Sequence, residues 1–347
     1  MDLLRIGLIG YGVAGSAFHA PLIATTAGLS LTGIVTRNEA RAAAAREQHP
    51  GVEVVAEVEH LWDLDLDAVT IASPNQTHVP LALAALAAGV NVVVDKPLAT
   101  SVLDGERLLT AADEAGRLLT VYFNRRWDGD FRTVAQMIRE GNVGRVARFE
   151  SRFERWRPQV ATTWKETAAP GQGGGILFDL GPHLIDQALQ LFGPVNTVYA
   201  EVDTTREGGT NPDDVFLALT HVSGVRSHLF MSATAADLGP RFRVLGTAGG
   251  YRVFGLDGQE AALRAGHLPG VGWGAVPAAD WGVLSGGTEP AKVPTLAGDY
   301  PEFYRRWEAA LRGAGPVPVD PADAVAGLRI IEAAEVSSRD RAVVLLD

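Results

Sequence analysis

The 347-residue sequence contains no cysteine, so it can form no disulfide bond, no thiolate metal site and no cysteine nucleophile. Positive charge is also scarce, because 30 lysines and arginines stand against 41 aspartates and glutamates, a formal net charge of −11. So acidic a chain is poorly suited to the phosphate backbone of nucleic acids, and we expect no nucleic-acid partner. No apolar run is long enough to cross a bilayer, and no basic, cleavable leader precedes the first strand-like run. We therefore expect a cytoplasmic protein without a membrane partner.

The clearest positive signal lies at the N-terminus, where the apolar run Leu4–Ile9 enters a glycine turn that a helix-like pattern follows. The residues of this turn are Gly10, Tyr11, Gly12, Val13, Ala14 and Gly15. In a dinucleotide-binding turn the first glycine permits the tight turn, the second lets a pyrophosphate approach the backbone, and the third allows close helix–strand packing. The strand before the turn and the helix after it are the context that this motif requires. We predict that these six residues bind a dinucleotide cofactor.

Short β-rich runs alternate with helical patterns in the first third of the chain, which predicts an α/β Rossmann domain with a doubly wound parallel sheet over residues 1–123. The predicted strands are Leu4–Ile9, Ser30–Val35, Ala68–Ala72, Val90–Val94 and Leu118–Val121, and the predicted helices are Ala40–Glu47, Val79–Ala88 and Leu103–Ala115.

In residues 124–347 most strand candidates follow one another without helices, which predicts an α+β domain with a large, mostly antiparallel open sheet for substrate binding and oligomerisation. The predicted strands are Val143–Phe153, Val195–Asp203, Val215–Thr220, Val225–Met231, Arg241–Gly246 and Tyr251–Phe254, and the predicted helices are Phe131–Arg139 and Pro321–Ser338. Asp320 can cap the final helix, which could pack back on the first domain. An open sheet must cover its second face, so we expect a homodimer or homotetramer formed through this sheet. Residues 266–287 show no clear period and form either a functional loop or a surface excursion.

The end of the second strand governs the choice between NAD and NADP. NAD-binding proteins usually place a carboxylate about 20 residues beyond the glycines, where it binds the ribose 2′-hydroxyl. Here no carboxylate occurs before Glu39, whereas Arg37 offers a planar cation for a 2′-phosphate and Thr36 offers a small hydroxyl. We predict NADP as the cofactor. NAD stays possible if Arg37 is only an exposed residue at a helix start.

Two later strand ends also carry candidate site residues. Ser73, Pro74 and Asn75 follow the third predicted strand, and we expect them to contact the cofactor, because open α/β sheets bind ligands at the carboxyl ends of strands. His78 either joins this site or packs in the first helical turn without a ligand role. The next strand ends at Asp95-Lys96-Pro97. Lys96 is the main acid/base candidate there, and the alternative is a surface lysine paired with the preceding aspartate.

A third candidate group falls in the second domain. Asp179, His183 and Asp186 stand at i, i+4 and i+7, which places them on one helix face if Gly181-Pro182 does not break the helix. Their apolar neighbours leave these polar groups facing a cleft or water, and an Asp–His pair can exchange a proton with a substrate hydroxyl. A solvated helix face is one alternative. A metal site is another, but the local sequence offers too few further ligands, and we predict no metal.

Together these motifs resemble those of the Gfo/Idh/MocA oxidoreductases, over Leu4–Leu346. The resemblance rests on the glycine turn and on three further motifs in the family's order and spacing, Ser73-Pro74-Asn75, Asp95-Lys96-Pro97 and Asp179-Leu180-Gly181-Pro182-His183. Within the family, the segments 16–22, 122–131 and 257–264 are similar to the NADP-dependent scyllo-inositol dehydrogenase branch, which agrees with the prediction from Arg37.

The resemblance implies reversible, metal-free hydride transfer between a polyol or sugar carbon and the nicotinamide. It gives Lys96 and His183 the proton transfer, with Asp179 as their polar partner, and leaves open which of the two is the proximal base. The implied substrate contacts are Lys96, Arg125, Asp179 and His183, and the implied further cofactor contacts are Asp95, Lys96 and Asn124. Asp95 stands where glutamate is commoner in the family, so its cofactor contact could differ while its charge is retained.

Two other functions stay open on the sequence. The same fold could reduce a different carbonyl or an imine, because function depends on the site and not on the fold. A chain that kept the glycine turn without the chemistry would be a non-enzymatic NADP sensor. The presence of Lys96 and His183 argues against a sensor, since binding alone requires neither.

Overall fold

The computed structural model describes residues 2–169 and 171–346. The chain divides into two compact units. The first consists of the residues up to Asn124 together with Gln259–Trp273 and Asp299–Val325, and the second consists of Arg125–Gly258, Gly274–Gly298 and the residues from Ala326 onward. Two segments from the last third of the chain therefore return to the first unit. The domain boundary expected between residues 123 and 124 stays a prediction.

Helices and strands account for most of both units. Within the described residues the strands are β1 (Leu4–Ile9), β2 (Leu29–Val35), β3 (Glu53–Val55), β4 (Ala68–Ile71), β5 (Asn91–Asp95), β6 (Leu119–Tyr122), β7 (Val146–Glu154), β8 (Val195–Asp203), β9 (Asp214–His221), β10 (Arg226–Ser232), β11 (Phe242–Gly246), β12 (Gly250–Val253), β13 (Gly282–Ser285), β14 (Ala291–Val293) and β15 (Val344–Leu345). The α-helices are α1 (Ala20–Thr25), α2 (Glu39–Gln48), α3 (His78–Ala87), α4 (Val102–Ala115), α5 (Gly129–Arg139), α6 (Trp164–Thr167), α7 (Gly175–Phe192), α8 (Gln259–Arg264), α9 (Pro301–Leu311) and α10 (Pro321–Asp340). No described helix combines the length and the apolar character that a membrane span needs.

The first unit is built on a six-stranded sheet in the order β3-β2-β1-β4-β5-β6, with all neighbours parallel. Ile6 and Leu8 of β1 are fully buried, as expected for a parallel strand with both faces covered. The strand order reverses between β1 and β4, and open α/β sheets bind ligands at the carboxyl ends of the strands beside such a reversal. The predicted Rossmann sheet is confirmed.

Local sequence explains where several helices begin and end. Ser101 Oγ accepts a hydrogen bond from the Asp104 N–H at 3.2 Å at the start of α4, and Gly116 ends that helix in the left-handed conformation, with φ 59°. At the start of α10, Asp320 Oδ1 accepts a hydrogen bond from the Ala322 N–H at 2.9 Å. The aspartate predicted to cap the final helix therefore makes a capping bond.

The second unit holds a nine-stranded mixed sheet in the order β14-β13-β12-β11-β7-β10-β9-β8-β15. Among its described strands β7 and β10 pair in parallel, and the other neighbours are antiparallel. The predicted α+β fold class with a mostly antiparallel sheet is thus confirmed. The strands that the sequence did not predict, β3, β13, β14 and β15, lie at or next to sheet edges and are too short to produce a periodic pattern.

Candidate active site

The glycine turn after β1 has the backbone that the motif predicts. Gly10 adopts φ 99°, and a Cβ there would lie 2.6 Å from the Ala72 carbonyl oxygen. A Cβ on Gly15 would lie 2.0 Å from the Gly10 carbonyl oxygen, whereas a Cβ on Gly12 would meet nothing nearer than Arg41 Nη1 at 3.9 Å. Glycine is therefore needed at positions 10 and 15 for the turn itself. At Gly12 it leaves an open approach to the backbone, as a bound phosphate would require.

The other three residues of the turn differ in what they can offer a ligand. The Tyr11 side chain is buried, its hydroxyl donates to Gln48 Oε1 at 2.7 Å, and burial raises the pKa of Tyr11. Only the backbone of Tyr11 is therefore available for the predicted cofactor contact. Val13 is 55 % exposed, and Ala14 begins a π-helical segment, Ala14–His19, that leads into α1.

Two arginines lie near the end of β2. The exposed Arg37 side chain donates to Glu57 Oε2 at 2.5 Å, and this bond with Glu57 raises the pKa of Arg37. Arg41, which the sequence analysis did not single out, lies in the first turn of α2, with its guanidinium beside the open side of Gly12. Thr36 Oγ1 accepts a hydrogen bond from the Asn38 N–H at 3.4 Å. Of the two cations, Arg41 lies next to the glycine turn, whereas Arg37 is engaged by a carboxylate.

The turn after β4 is tied together by side chains. Ser73 Oγ lies 2.6 Å from Thr77 Oγ1, which donates to the Pro74 carbonyl oxygen, also at 2.6 Å, and Asn75 is buried at the start of the 3₁₀ segment Asn75–Thr77. His78 is 1 % exposed, with Nδ1 2.8 Å from the Pro97 carbonyl oxygen and Nε2 2.9 Å from the Ser73 carbonyl oxygen.

Burial lowers the pKa of His78. Both partners of its ring accept hydrogen bonds, and a neutral imidazole has one N–H to donate, so one of the two contacts is a hydrogen bond at any moment. The His78 ring therefore lies between the turn after β4 and the turn after β5 and contacts both. This arrangement matches the packing alternative for His78 and lends no support to a direct cofactor contact through its ring.

Asp95 and Lys96 stand at the carboxyl end of β5. The Lys96 backbone N–H donates to Asp95 Oδ1 at 2.8 Å, and the Lys96–Pro97 peptide bond is cis. Burial alone would raise the pKa of Asp95, but the neighbouring His19 and Lys96 outweigh burial, and that pKa is lowered. Lys96 itself is half-buried. Asn124, the predicted cofactor contact after β6, is buried at the same edge of the sheet.

In the second unit, α7 is one continuous helix from Gly175 to Phe192 and contains Pro182 in its interior. The break considered at Gly181-Pro182 therefore does not occur, and Asp179, His183 and Asp186 lie on a single helix. Asp179 accepts a hydrogen bond from Lys165 Nζ at 2.5 Å and a second from Arg155 Nη2 at 3.3 Å. Two cations, one of them on α6, thus meet this carboxylate.

The rest of the predicted polar face is buried. Asp186 is 2 % exposed and accepts two hydrogen bonds from the Arg126 guanidinium, at 2.9 and 2.5 Å. His183 is 6 % exposed. The prediction that these polar groups face a cleft or water is therefore wrong for Asp186, because a bidentate arginine from outside the helix compensates the buried charge.

Arg125, the predicted substrate contact, lies in a buried polar network. Its Nη1 donates to Asp128 Oδ2 at 3.2 Å, its guanidinium lies 4.6 Å from the centre of the Phe153 ring, and its carbonyl oxygen accepts from Gln187 Nε2 at 3.0 Å. Gln187 Oε1 in turn accepts from Arg241 Nη2 at 2.9 Å. Gln187 belongs to α7, so this helix carries the proposed proton-transfer residue and also positions the backbone of Arg125.

Three aspartates share this network with two arginines. Burial raises the pKa of Asp128 to about 8, against the opposing effect of Arg125, and the nearby Asp130 and Asp257 raise it further. Burial likewise raises the pKa of Asp130 to about 6, although Arg241 opposes the shift. The carboxylates outnumber the guanidiniums, so the network keeps a proton near neutral pH.

Sequence reasoning missed four residues that contact the predicted site residues or lie next to them, namely His19, Arg41, Asp128 and Lys165. His19 was part of a segment that supported the resemblance, but nothing in its spacing indicated that it faces Asp95 across 76 positions of sequence. Arg41 could have been found because it follows Arg37 by four residues and falls in the first turn of the helix after β2. Within residues 2–169 and 171–346, no group of three or more His, Asp or Glu side chains is arranged to hold a metal ion.

Comparison with known proteins adds an independent line of evidence. A family model described as an oxidoreductase family with an NAD-binding Rossmann fold matches residues 4–123, and one described as a GFO/IDH/MocA C-terminal domain matches residues 131–252. The uncharacterized oxidoreductase YdgJ of Escherichia coli (strain K12) is 41% identical, over 99% of both chains. The scyllo-inositol 2-dehydrogenase (NADP(+)) IolW of Bacillus subtilis (strain 168) is 34% identical, over 100% of this chain and 97% of that one. The solved structure of yvaA from Bacillus subtilis has a TM-score of 0.93 at 33% identity and covers 100% of this chain and 98% of that one.

Proposed function

This chain belongs to the Gfo/Idh/MocA oxidoreductase family, and from that premise we propose that it is an NADP(H)-dependent dehydrogenase of a polyol or sugar. One observation carries the proposal furthest. The open backbone at Gly12, with the Arg41 guanidinium beside it, provides a phosphate site at the carboxyl edge of the parallel sheet, and Lys96 follows β5 at that edge. The glycine cradle fits a dinucleotide, because a Cβ would occupy the space that the phosphate needs.

The charges near β2 favour NADP over NAD. A 2′-phosphate adds negative charge to the adenosine ribose, which Arg41 and Arg37 can bind through charge-assisted hydrogen bonds. Arg37 would have to exchange its bond with Glu57 for one with the phosphate, and this competition reduces its contribution. We therefore propose that Arg41 supplies the larger part of the NADP preference. The relative IolW is named as an NADP(+) enzyme, which is consistent with this assignment.

The chemistry follows from the residues at hand. When bound, the nicotinamide accepts a hydride from the carbon that carries the substrate hydroxyl. The hydroxyl proton must leave in the same reaction, and Lys96 Nζ or the His183 ring would take it, so that the carbinol becomes a ketone. Arg125 would hold the substrate through its guanidinium, which the buried network around Asp128 keeps in place. In the reverse direction the same group returns the proton.

The direct test is a substrate screen. Purified protein is mixed with NADP or NAD and with inositols, aldoses and sugar alcohols, and the absorbance of the reduced nicotinamide is followed. Keto-sugars with NADPH test the reverse direction. Turnover of a polyol or sugar with NADP supports the proposal. Tight NADPH binding without turnover of any of these compounds would instead favour the sensor or a different carbonyl substrate.

A matched pair of variants tests the cofactor preference. Arg41→Ala removes the cation beside Gly12, and losing one charge-assisted hydrogen bond to a phosphate, about 1.5–3 kcal/mol, should weaken NADP binding about 10- to 150-fold. NAD binding should change little. Arg46→Ala makes the same charge change on α2, where the guanidinium donates to the Val54 carbonyl oxygen at 3.4 Å, and should leave both cofactors unaffected. Equal losses for NADP and NAD in Arg41→Ala would contradict the assignment.

We also propose that the nine-stranded sheet forms a homodimer or homotetramer. On β10, Leu229 and Met231 are fully buried, whereas Phe230 between them is only half-buried and its ring lies 5.0 Å from that of Phe216 on β9. This face thus exposes aromatic surface that a second copy could cover. Light scattering should return a dimer or tetramer for the wild type and a smaller species for Phe230→Glu. A wild-type monomer at micromolar concentration would exclude the proposal.

A further inference from the structure

A buried polar chain runs from α9 to the end of β5 within the first unit. His19 is 0 % exposed, and its Nδ1 lies 2.7 Å from the hydroxyl oxygen of Tyr304, which is also fully buried. On the other side of the ring, His19 Nε2 lies 3.9 Å from Asp95 Oδ2. Asp95 Oδ1 accepts the Lys96 backbone N–H at 2.8 Å. Three segments of the chain therefore meet here, through two hydrogen-bond contacts and, between His19 and Asp95, one electrostatic contact that is longer than a hydrogen bond.

The Tyr304 hydroxyl can supply the proton for its contact with His19. Burial raises the pKa of Tyr304, so the hydroxyl keeps its proton and can donate to His19 Nδ1. Thr70 Oγ1, 3.3 Å from the Tyr304 hydroxyl oxygen, can donate to that oxygen in turn. When the Tyr304 hydroxyl donates to Nδ1, that nitrogen carries no proton and the ring N–H is on Nε2, which faces the acceptor-only Asp95 carboxylate. In that arrangement Nε2 presents an N–H toward Asp95, across 3.9 Å, a distance longer than a hydrogen bond.

Packing alone does not account for a histidine at this position. The His19 ring lies 4.4 Å from the Tyr122 ring, centre to centre, and a leucine would satisfy such an apolar site without the cost of burying a polar ring. The polar groups of His19 face Tyr304 on one side and Asp95 on the other. The arrangement orients a ring proton toward one carboxylate, and that carboxylate holds the backbone of Lys96.

We propose that His19 is a positioning residue for the turn after β5. Held by Tyr304, it attracts the Asp95 carboxylate across 3.9 Å and so restricts its orientation, and through the Lys96 N–H bond this carboxylate holds the backbone from which the Lys96 side chain extends. This role rests on the proposed function, in which Lys96 lies at the cofactor-binding edge of the sheet and can take the substrate proton. It goes beyond that function because neither His19 nor Tyr304 contacts the cofactor or the reacting atoms in the proposed reaction.

Other charged or titratable groups around Asp95 must be considered for any effect of pH. His19 from the segment after the glycine turn, Lys96 next in sequence and His78 on α3 all lower the pKa of Asp95, against burial. Tyr304 on α9 stays protonated. Burial raises the pKa of Asp95 and His19 lowers it. Removing His19 should therefore raise the pKa of Asp95. The acid limb of cofactor binding should then move to higher pH.

The test uses three variants of the full-length protein and two readouts. His19→Leu removes the ring and both its contacts, His19→Gln retains a donor, and Tyr304→Phe removes only the hydroxyl. Hydrogen–deuterium exchange of the peptide that contains the Lys96 amide reports on the backbone without any cofactor. Titration with NADPH across pH reports on binding without any substrate. His221→Leu is the control, because His221 is equally buried between Gly193 and Ser227.

We expect His19→Leu to speed exchange at the Lys96 amide, to weaken NADPH binding about 10-fold or more, and to shift its acid limb upward. The effects of His19→Gln and of Tyr304→Phe on all three measurements should lie between those of the wild type and of His19→Leu. His221→Leu should leave all three unchanged. Wild-type exchange and a wild-type pH profile in His19→Leu would overturn the inference. A wild-type protein that binds no dinucleotide would overturn the proposed function instead, and the exchange readout would still decide whether His19 holds the Lys96 backbone.

Discussion

Gly12 and Gly15 stand three residues apart in the glycine turn, yet we predict that substitution by alanine has different consequences at the two positions. A Cβ on Gly15 would lie 2.0 Å from the Gly10 carbonyl oxygen, a backbone atom that cannot move aside. A Cβ on Gly12 would have its nearest neighbour, Arg41 Nη1, at 3.9 Å, and the φ angle of Gly12 is outside the left-handed region. Gly15→Ala should therefore damage the fold, and Gly12→Ala should damage only cofactor binding.

The structure allows both effects to be scaled. Overpacking against the backbone at Gly15 should cost about 3 kcal/mol or more, which corresponds to a fall in Tm of roughly 6–12 °C for a domain of this size. Gly12→Ala meets no clash and restricts the unfolded chain, so its free energy of unfolding should stay constant or rise by about 0.4–1 kcal/mol. If its methyl group removes one backbone hydrogen bond to a phosphate, about 1.5–3 kcal/mol, NADPH affinity should fall about 10- to 150-fold.

The assay pairs thermal unfolding by circular dichroism, without cofactor, with a fluorescence titration of NADPH. Gly315→Ala is the control, since a Cβ there meets nothing within 4 Å and the residue is not in the glycine turn. It should leave both Tm and affinity unchanged. The reasoning is refuted if Gly12→Ala binds NADPH as the wild type does, or if Gly15→Ala unfolds at the wild-type temperature.

Two further predictions concern catalysis and pH. Lys96→Met should lower kcat by about 10²–10⁴-fold, because the proton transfer is lost, while NADPH still binds through the glycine turn. The exposed Lys292→Met should change neither, and wild-type turnover in Lys96→Met would remove Lys96 from the mechanism. In the folded protein the pKa of Asp128 is raised to about 8, whereas in the unfolded chain it is about 4. Between these two values the folded protein holds a proton that the unfolded chain has released, so the free energy of unfolding falls as pH rises. Asp128→Asn mimics the protonated group and should flatten the decline of Tm between about pH 6 and pH 8; an unchanged slope would show that Asp128 is ionised in the folded state.

Much of the first unit could be predicted because its signals are local. β1 occupies Leu4–Ile9, as its apolar run predicts, and the φ of Gly10 and the close approach at Gly15 agree with the roles that the glycine spacing assigns. Each of these features depends on residues within about ten positions of one another, so a sequence pattern can record them. The candidate site residues at the strand ends could be predicted for the same reason, since all parallel strands end at the same edge of the sheet.

Other features depend on partners that are remote in sequence. His19 and Tyr304 are 285 positions apart, and Asp186 and Arg126 are 60 apart, so no spacing rule connects them. Helical periodicity correctly placed Asp186 on the same helix as His183, but exposure was inferred from polarity alone, and polarity does not reveal a compensating arginine. The same limit applies to Arg37, whose bond with Glu57 joins the end of β2 to a residue 20 positions later.

These partners also separate the roles of the polar residues on α7. Asp186 is buried and accepts hydrogen bonds from two nitrogens of Arg126, so it stabilises the packing of α7 and is a poor candidate for contact with substrate. Both oxygens of Asp179 accept hydrogen bonds, one from Lys165 and one from Arg155. Taking a substrate proton at Asp179 would neutralise the carboxylate and weaken its pairing with both cations, whereas orienting a cation next to the substrate would use this pairing. We therefore favour Asp179 as the group that holds Lys165 and Arg155, with the proton taken by Lys96 or His183.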